Sequence, residues 1–332
     1  MLTYKKSGVD IEAGEETVDR IKPLIRKTFN DRVLADIGGF GGMYDVSFLK
    51  EYDRPVLVSS VDGVGTKLKV AVMANSHRGV GHDLVNHCVN DIAVCGAVPI
   101  YFLDYFATGR LDPDVATEVI TGFAEACSLN NCALIAGETA EMPSMYAEGE
   151  YDLAGTIVGV VERERMVTGE KSAAGDVLIG LHSTGLHTNG YSLARAALFG
   201  RFSPDDYVEE LGCTVAEALL VPHRSYLKAI QGTIDIDGVH AYSHVTGGGL
   251  VGNTSRVVRE PLRLEVDWEA WERPAIFNLI AREGEVPEED MRRAFNLGIG
   301  LVIVVEEKAG GAVVEALRGM GEEPVVVGRV GS

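Results

Sequence analysis

Short apolar runs alternate along the chain with longer segments in which apolar residues recur at helical spacing. The apolar runs are rich in β-branched residues and have the length of buried strands. They are Val56–Val61, Val98–Tyr105, Ala133–Ala136, Tyr151–Val161, Asp176–Leu181, Val239–Tyr242, Gly298–Val305 and Pro324–Val327. The periodic segments predict helices near Glu15–Lys27, Gly79–Cys95, Asp112–Asn130, Ala275–Arg282 and Lys308–Gly319. Strands and helices therefore alternate over most of the chain, as in proteins of mixed α and β structure.

A charged and then glycine-bearing segment, Glu162–Gly175, interrupts this pattern. The length of 332 residues is typical of two domains. Linkers between domains are commonly polar and rich in small residues. We therefore predict one domain over residues 1–168 and a second over residues 169–332.

Composition narrows the class of protein. A net charge of −19 disfavours nucleic acid as a partner, because phosphate backbones are bound by Lys and Arg. No apolar run reaches the roughly 18 residues that span a membrane. Met1–Lys6 lacks the apolar core of a signal peptide, and the five cysteines are odd in number and contain no Cys-x-x-Cys pair. We therefore expect a cytoplasmic protein. Because its net charge is negative, any anionic ligand should be bound by local features such as glycine backbones, helix N-termini, a few basic side chains and bridging Mg²⁺.

The first candidate site follows the strand at Val56. Asp62 is followed by Gly63, Gly65, Thr66 and Lys67, so an acid, two glycines, a hydroxyl and a cation fall within six positions. Such a set can bind a metal through the acid and a phosphate over the glycines. The spacing is not that of a Walker A loop. A glycine-rich hairpin with a solvated lysine is an equally good interpretation of this stretch alone.

A second glycine-rich segment precedes it. Residues 38–42 contain four glycines in five positions, which excludes a helix interior. We interpret the segment as a loop that closes over a phosphate chain. The alternative is a tight hairpin around a buried Phe40.

The predicted helix Gly79–Cys95 is apolar nearly all round, yet it carries one polar stripe. The stripe consists of Asp83, Asn86, His87, Asn90 and Asp91. Buried acids require partners or a metal, so a stripe that faces Asp62 would bring Asp62 and Asp91 to one cation. The alternative is hydrogen bonding to neighbouring loops, which is the better interpretation for Asn86. His77, His82 and His87 recur every five residues and would spread around the helix, which disfavours a histidine metal site.

The predicted strand Ala133–Ala136 is followed by a loop, Gly137–Pro143, that carries two further acids. Glu138 lies beside Gly137 at the end of the strand, where a third carboxylate would face the same cleft. We interpret Glu141 as a solvated loop acid.

Two loops of the second half are candidates for anion binding. Residues 182–192 combine Ser, Thr, His, Asn and Gly between a strand and a helix start, and His187 is a candidate acid–base or hydrogen-bonding group. A plain loop histidine is an equally good interpretation. Gly247, Gly249 and Gly252 match Gly-x-Gly-x-x-Gly, which allows a dinucleotide site, but no regular strand–helix series follows.

Taken together, ten ordered motifs closely resemble the phosphoribosylformylglycinamidine cyclo-ligase family, the aminoimidazole ribonucleotide synthetases of purine biosynthesis. They are SGVDIEAG (7–14), GGFGGMY (38–44), DGVGTKLK (62–69), DLVNHCVND (83–91), FLDYFATG (102–109), GETAEMP (137–143), DLAGTIVG (152–159), GLHTNGYSL (185–193), HVTGGGL (244–250) and FNLGIG (295–300). The resemblance implies two α/β (α+β) domains. The N-terminal one has a mixed sheet that pairs in a homodimer, and the C-terminal one is an α/β sandwich with a mixed sheet.

The resemblance also implies an ATP-dependent ring closure on a small ribonucleotide, with Mg²⁺ as cofactor. The metal would be held by Asp62, Asp91 and Glu138. ATP and its phosphates would contact Gly39, Gly41, Gly42, Gly63, Gly65, Thr66 and Asn90. The ribonucleotide would contact Thr188, Asn189, Gly190, Thr246, Gly247 and Gly248. The catalytic residues would be Lys67 and His187.

Departures from the family pattern are few. Val61 replaces a usual Thr, Ala136 replaces a usual Gly, and Gly252–Arg256 keeps the Asn and Arg of the usual sequence but loses its Glu and Pro. That last change leaves the detailed role of the loop open.

Enzymes of similar architecture are the alternatives: selenophosphate synthetase, thiamine-monophosphate kinase and the amidotransferase-coupled synthetase one step earlier. The first would carry a reactive cysteine in Gly38–Tyr44, where this chain has none. The last would carry a different His-Asp signature in place of His244–Gly249. Two other classes are a nicotinamide oxidoreductase and an inactive binding protein. The retained Asp62, Lys67 and Asp91 argue against the inactive binding protein.

Overall fold

The computed structural model describes residues 3–332, so Met1 and Leu2, with which the predicted N-terminal domain begins, lie outside the described residues. The chain forms two compact units. The first contains the residues up to Ile92 and Val98–Glu164, and the second contains Ala93–Ala97 and Arg165–Ser332. The predicted domain boundary lies after residue 168, whereas the units divide after Glu164.

Among its described residues, the first unit contains four strands and four α-helices. The strands are β1 (Pro55–Gly63), β2 (Val98–Thr108), β3 (Ala133–Glu141) and β4 (Tyr151–Glu162). The helices are α1 (Ile11–Ile25), α2 (Lys67–Met73), α3 (Arg78–Ala93) and α4 (Pro113–Leu129). Short 3₁₀ turns occur at Lys5–Ser7, Arg26–Thr28, Ser47–Glu51 and Arg163–Arg165.

The sheet of this unit has the strand order β1-β4-β2-β3. The β2–β3 pair is parallel and the others are antiparallel, so the predicted mixed sheet is confirmed. Helices α3 and α4 cover one face. A Cβ on Gly155 would lie 2.2 Å from the ring of Phe102 and 3.1 Å from Leu84 of α3, so glycine is required for this close packing.

The other face of the sheet is exposed in the single chain. Leu57 and Val61 on β1 are 58% and 67% exposed, and Tyr105 on β2 lies on the same face. The prediction of a buried strand at Val56–Val61 is therefore wrong for this chain by itself. The reason is that an apolar run records hydrophobic character but not whether a partner covers the strand.

The second unit contains seven strands and seven α-helices among the described residues. The strands are β5 (Val177–His182), β6 (Tyr207–Val208), β7 (Cys213–Thr214), β8 (Val239–His244), β9 (Arg263–Val266), β10 (Ile299–Val305) and β11 (Val325–Gly331). The helices are α5 (Tyr191–Leu198), α6 (Val215–Leu220), α7 (Leu227–Thr233), α8 (Gly249–Thr254), α9 (Ala275–Glu283), α10 (Glu288–Ala294) and α11 (Gly310–Gly319). Two further 3₁₀ turns are Ser255–Val257 and Glu307–Ala309.

The main sheet of the second unit has the order β8-β10-β5-β11-β9, and each of its pairs is antiparallel. The prediction of a mixed sheet in the second unit is therefore wrong. Every residue of β10, which lies between β8 and β5, is buried. Such a continuous apolar run shows that both faces of a strand are covered, but it carries no information about strand direction. The α and β class of both units is confirmed.

Several elements differ from the sequence prediction in extent. Strand β3 continues to Glu141, so Glu138 lies within the strand and not in a following loop. Helices α2, α6, α7 and α8, of six or seven residues each, were not predicted from the sequence, whereas the seven-residue α10 agrees with a short helix predicted near Pro287–Ala294. Within residues 3–332, we find no helix with the length and apolar character needed to cross a membrane.

Candidate functional site

Asp62 and Asp91 converge on one histidine of α3. Asp62 is near the end of β1, and His87 and Asp91 lie one turn apart on the helix. The Nε2 atom of His87 is 3.3 Å from Asp62 Oδ2 and 3.8 Å from Asp91 Oδ2. The Ser60 hydroxyl donates a hydrogen bond of 3.1 Å to Asp91 Oδ2. The polar stripe of the helix thus faces the end of β1, as its spacing of four predicts.

The environment of His87 favours its charged form. Burial alone would lower the pKa of His87, but the hydrogen bond to Asp62 and the negative charges of Asp91, Asp62 and Asp83 outweigh it and raise the pKa. The two carboxylates are only partly buried, whereas the imidazole is almost fully enclosed. The arrangement is a partly open pair of carboxylates backed by a buried imidazole.

Lys67 is enclosed in the first turn of α2. Its Nζ atom is 2.9 Å from Asp83 Oδ1 and 2.8 Å from Asp83 Oδ2, and both side chains are fully buried. Burial lowers the pKa of Lys67, and the negative charge of Asp83 and the hydrogen bond to it oppose that effect. The interpretation of Lys67 as a solvated lysine is therefore wrong. Its predicted contact with a phosphate stays a prediction, because the ammonium group faces Asp83 here.

The loop between β1 and α2 is exposed to solvent, whereas the side chain of Lys67, which follows it, is buried. Gly63, Gly65 and Thr66 are exposed, and Gly65 has a left-handed φ of +69°. By contrast, Asn90 is fully buried on α3. The candidate phosphate residues therefore divide between an open loop and an enclosed helix position.

The strand register separates Glu138 from the two aspartates. Asp62 lies opposite Gly155, and Gly155 lies opposite Asp104. Residues directly opposite one another share a face, so Asp62 and Asp104 point to the helix-covered face, two strands or roughly 10 Å apart. Glu138 lies opposite Tyr105 and points to the other face. Among the described residues of this unit, Glu138 is not brought to Asp62 and Asp91.

Asp104 is a carboxyl group that the sequence analysis did not single out. It is buried in β2, and burial raises its pKa to about 7, with the negative charge of Glu138 acting in the same direction. A Cβ on Gly137 would lie 2.1 Å from Asp104 Oδ1, so the neighbouring strand leaves space for this carboxyl. The available signal was an acid at a buried position of an alternating apolar strand, between Phe102 and Phe106.

The segment Gly38–Gly42 is an open loop. Phe40 is fully exposed, so the alternative of a hairpin around a buried Phe40 is wrong. The loop is closed at its base by an isolated bridge between Val33 and Tyr44. A Cβ on Gly42 would lie 2.8 Å from Ile135, whereas one on Gly41 would meet no atom within 4 Å. Gly39 is likewise exposed, so the tip presents bare backbone.

Glu141 is a structural residue and not a solvated loop acid, which corrects our interpretation. One carboxylate oxygen accepts the Asp10 N–H at 2.6 Å, and the other accepts the Leu111 N–H at 2.8 Å. Asp10 is in turn the N-cap of α1. Glu141 therefore fixes the start of α1 beside β3, which sequence spacing could not reveal because the partners are distant in the chain.

The loop between β5 and α5 is held by the adjacent residues Phe295 and Asn296. The backbone of His187 is left-handed, with φ of +62°, and its side chain is buried. Asn296 accepts from the Ser183 hydroxyl at 2.9 Å and donates to the Gly185 carbonyl at 2.8 Å. Gly190 also requires glycine, since a Cβ there would lie 2.2 Å from Phe295. Thr188, Asn189 and Gly190 are half-buried.

The glycine loop after β8 lies beside it. A Cβ on Gly247 would be 3.1 Å from Asn189 Oδ1, so the two candidate substrate loops adjoin. The Asn253 amide donates 3.2 and 2.8 Å hydrogen bonds to the carbonyls of Thr246 and Gly249. Gly247 and Gly248 are exposed at its tip. Asn253 therefore orders this loop although the surrounding sequence departs from the family pattern.

Solved structures of other proteins have a similar fold. The hydrogenase maturation protein HypE in complex with ATP aligns with a TM-score of 0.68 and 17% identity, over 93% of this chain and 84% of that one. Thiamine-monophosphate kinase from Stenotrophomonas maltophilia K279a aligns with a TM-score of 0.67 and 16% identity, over 96% and 93% of the two chains. At these identities the similarity shows the fold alone.

Sequence comparisons identify the family. Residues 45–161 match the model of the AIR synthase related protein, N-terminal domain, and residues 173–332 match that of the C-terminal domain. The phosphoribosylformylglycinamidine cyclo-ligase of Anaeromyxobacter sp. (strain Fw109-5) is 52% identical over 99% of this chain and 96% of its own length. That of Thermoanaerobacter pseudethanolicus is 47% identical over 99% and 97%. The chain therefore belongs to the phosphoribosylformylglycinamidine cyclo-ligase family.

Proposed function

We propose that this chain is an ATP-dependent cyclo-ligase that converts formylglycinamidine ribonucleotide to aminoimidazole ribonucleotide, ADP and phosphate in purine biosynthesis. The observation that carries the proposal is full-length similarity, at about half of all positions, to relatives that bear this enzyme's name. ATP use is further supported by the ATP complex of a protein with the same fold.

The reaction divides into two steps. The γ-phosphoryl group of ATP passes to the formyl amide oxygen of the substrate, and ADP leaves. A nitrogen of the same substrate then attacks that carbon, the carbon–oxygen bond breaks, phosphate departs, and loss of a proton completes the imidazole ring. Phosphoryl transfer depends mainly on positioning and charge neutralisation, which are the tasks available to this chain's residues.

The donor set at the end of β1 fits Mg²⁺. Asp62 and Asp91 offer hard carboxylate oxygens within reach of one group, and Mg²⁺ is commonly held by one or two carboxylates together with substrate phosphates. When bound, the ion would neutralise charge on the phosphates. His87 would hold the two carboxylates in place, and Ser60 would orient Asp91 by its hydrogen bond. Glu138, the expected third ligand, is left out of this set because it points to the other face of the sheet.

The other proposed binding roles belong to residues in loops of the two units. The exposed backbone at Gly39 and Gly41 is suited to phosphate, as is the Gly63–Thr66 segment. Lys67 would contact a phosphoryl group only if its pair with Asp83 opened, and otherwise it orders the start of α2. In the second unit, the adjoining loops His187–Gly190 and Thr246–Gly248 are proposed to bind the ribonucleotide, with His187 as an orienting group.

Turnover tests this proposal directly. Purified protein with MgATP and formylglycinamidine ribonucleotide is expected to form ADP and aminoimidazole ribonucleotide in equal amounts, and neither without the ribonucleotide. ADP formed without the imidazole would assign the chain to another ATP-using enzyme of this fold. Stabilisation by NADH but not by MgATP in thermal denaturation would favour the oxidoreductase alternative and contradict the proposal.

We further propose that the enzyme is a homodimer whose first-unit sheets meet. The supporting feature is the exposed face that carries Leu57, Val61 and Tyr105, since apolar side chains on an uncovered sheet face are typical of an interface. A cytoplasmic location is also proposed, in keeping with the odd number of cysteines.

The dimer is tested by a charge on that face. Val61→Arg is expected to convert a dimer into a monomer, because each interface would bury two unpaired guanidinium groups. Light scattering coupled to size-exclusion chromatography measures the mass. Leu129→Arg is the matched control, since Leu129 is 76% exposed at the end of α4 and not on the sheet. A monomeric parent protein, or a Val61→Arg variant that remains dimeric, would contradict the proposal.

A further inference from the structure

Three histidines of the second unit form one buried cluster. His187 lies in the loop after β5, His223 lies between α6 and α7, and His244 ends β8. All three are buried, and His223 is fully enclosed. One ring nitrogen of each lies within 4.8 Å of those of the other two. A role for His223 was not predicted from the sequence, because a lone histidine between two short helices shows no spacing to a partner.

His223 makes contacts through both ring nitrogens. Its Nε2 atom is 2.9 Å from His244 Nε2, and its Nδ1 atom is 3.5 Å from Thr188 Oγ1. Two imidazole nitrogens at hydrogen-bond distance need one proton between them, because two N–H groups would repel and two lone pairs would not bond. The protonation of His223 is therefore coupled to that of His244.

The geometry favours a hydrogen-bonded cluster over a metal centre. The rings of His187 and His223 are stacked, with centroids 3.9 Å apart and planes inclined by 14°. Imidazole lone pairs lie in the ring plane, so two nearly parallel stacked rings do not converge on one ion. The Thr184 N–H also points to His187 Nε2 at 3.3 Å. Two nitrogens on a tetrahedral zinc ion would be roughly 3.3 Å apart, which is longer than the observed 2.9 Å.

We propose that His223 is a positioning residue for the ribonucleotide site. It joins Thr188 of one candidate substrate loop to His244 at the base of the other. This assignment rests on the proposed function in that these two loops are taken to bind the substrate. His223 itself acts through Thr188 and His244 and does not contact the reacting atoms.

When both imidazoles are neutral, the coupling of His223 to His244 allows two tautomeric states. When His223 Nε2–H donates to His244, neutral His223 accepts the Thr188 hydroxyl proton at Nδ1, and neutral His244 carries its own proton on Nδ1. When His244 Nε2–H donates instead, His223 Nδ1–H donates to Thr188. One tautomer of His223 therefore fixes both the direction of the Thr188 hydroxyl and the tautomer of His244.

Two substitutions separate this role from simple packing. His223→Phe keeps an aromatic ring against His187 but removes both nitrogens. His223→Gln places an amide near the position of Nε2 and retains a hydrogen bond to His244. We expect His223→Phe to lower kcat/KM for the ribonucleotide by roughly 10- to 100-fold, with KM for ATP nearly unchanged, and His223→Gln to recover most of the loss.

A spectroscopic measurement tests the proposal independently of turnover. In ¹⁵N-histidine NMR spectra of the full chain, the parent protein is expected to show one fixed tautomer of His244, and His223→Phe is expected to show a mixture or the other tautomer. If the parent forms no aminoimidazole product, the proposed function fails, but this spectrum still decides whether His223 controls His244.

Several results would overturn the assignment. The first is an unchanged kcat/KM or an unchanged His244 tautomer in a folded His223→Phe variant. The second is that His223→Phe and His223→Gln lose the same amount of activity and have the same decrease in melting temperature, which would indicate a packing role. The third is stoichiometric Zn²⁺ binding by the parent that is lost in His223→Phe, which would make the cluster a metal site.

Discussion

Asp62→Asn and Asp91→Asn are each expected to lower turnover by roughly 10²- to 10³-fold while the protein remains folded. Asn has nearly the same shape as Asp but lacks the negative charge that holds a divalent ion against phosphates. Both carboxylates are partly exposed, so water can solvate the neutral amide that replaces either one. The measurement is the steady-state rate of aminoimidazole ribonucleotide formation at saturating MgATP.

The mechanism of this loss is tested by varying the metal. If the aspartates hold Mg²⁺, raising the Mg²⁺ concentration should partly restore the rate of both variants, because mass action opposes weaker binding. Asp53→Asn, at an exposed position just before β1, is the matched control and should retain full activity. Wild-type rates in Asp62→Asn and Asp91→Asn would exclude the proposed metal site. A large drop in melting temperature would show instead that the pair acts through His87 on stability.

The proximity of Asp62, His87 and Asp91 could be predicted from the sequence because these residues lie close together along the chain. A spacing of four places His87 and Asp91 on one helix face, and the polar character of that face on an otherwise apolar helix requires a partner. The end of the preceding strand supplies it in Asp62. Glu138 shows where such reasoning stops, because strand alternation assigns a face only after the true length of β3 is known.

Features that depend on tertiary neighbours could not be predicted in the same way. His223 and Asn253 become informative only when distant segments are folded against them. The antiparallel order of the second sheet and the uncovered face of β1 likewise depend on segments that are distant in the sequence or on a partner. Apolar content determines how much surface a strand must bury, but the direction of a strand and the identity of its cover depend on chain connections and partners.

Lys67→Met is expected to destabilise the protein by about 3–5 kcal/mol, the largest loss of stability that we predict for a single substitution. The Lys67–Asp83 pair is fully buried, so removal of the ammonium group leaves the Asp83 carboxylate uncompensated in an apolar environment. Replacing both members, in Lys67→Met/Asp83→Leu, should recover most of the stability, because neither an unpaired ammonium nor an unpaired carboxylate then remains at these two positions. Urea denaturation followed by circular dichroism measures the difference.

The exposed pair Arg110–Glu148 provides the matched control. Its side chains are 72% and 75% exposed, and Glu148→Gln should leave the free energy of unfolding nearly unchanged, since solvent screens the interaction. A loss as small in Lys67→Met would show that the buried pair contributes little to the folded state. If the double variant regains stability but not turnover, the pair would be needed for catalysis as well as for folding. Regained turnover would instead confine Lys67 to a structural role and remove it from the proposed phosphate site.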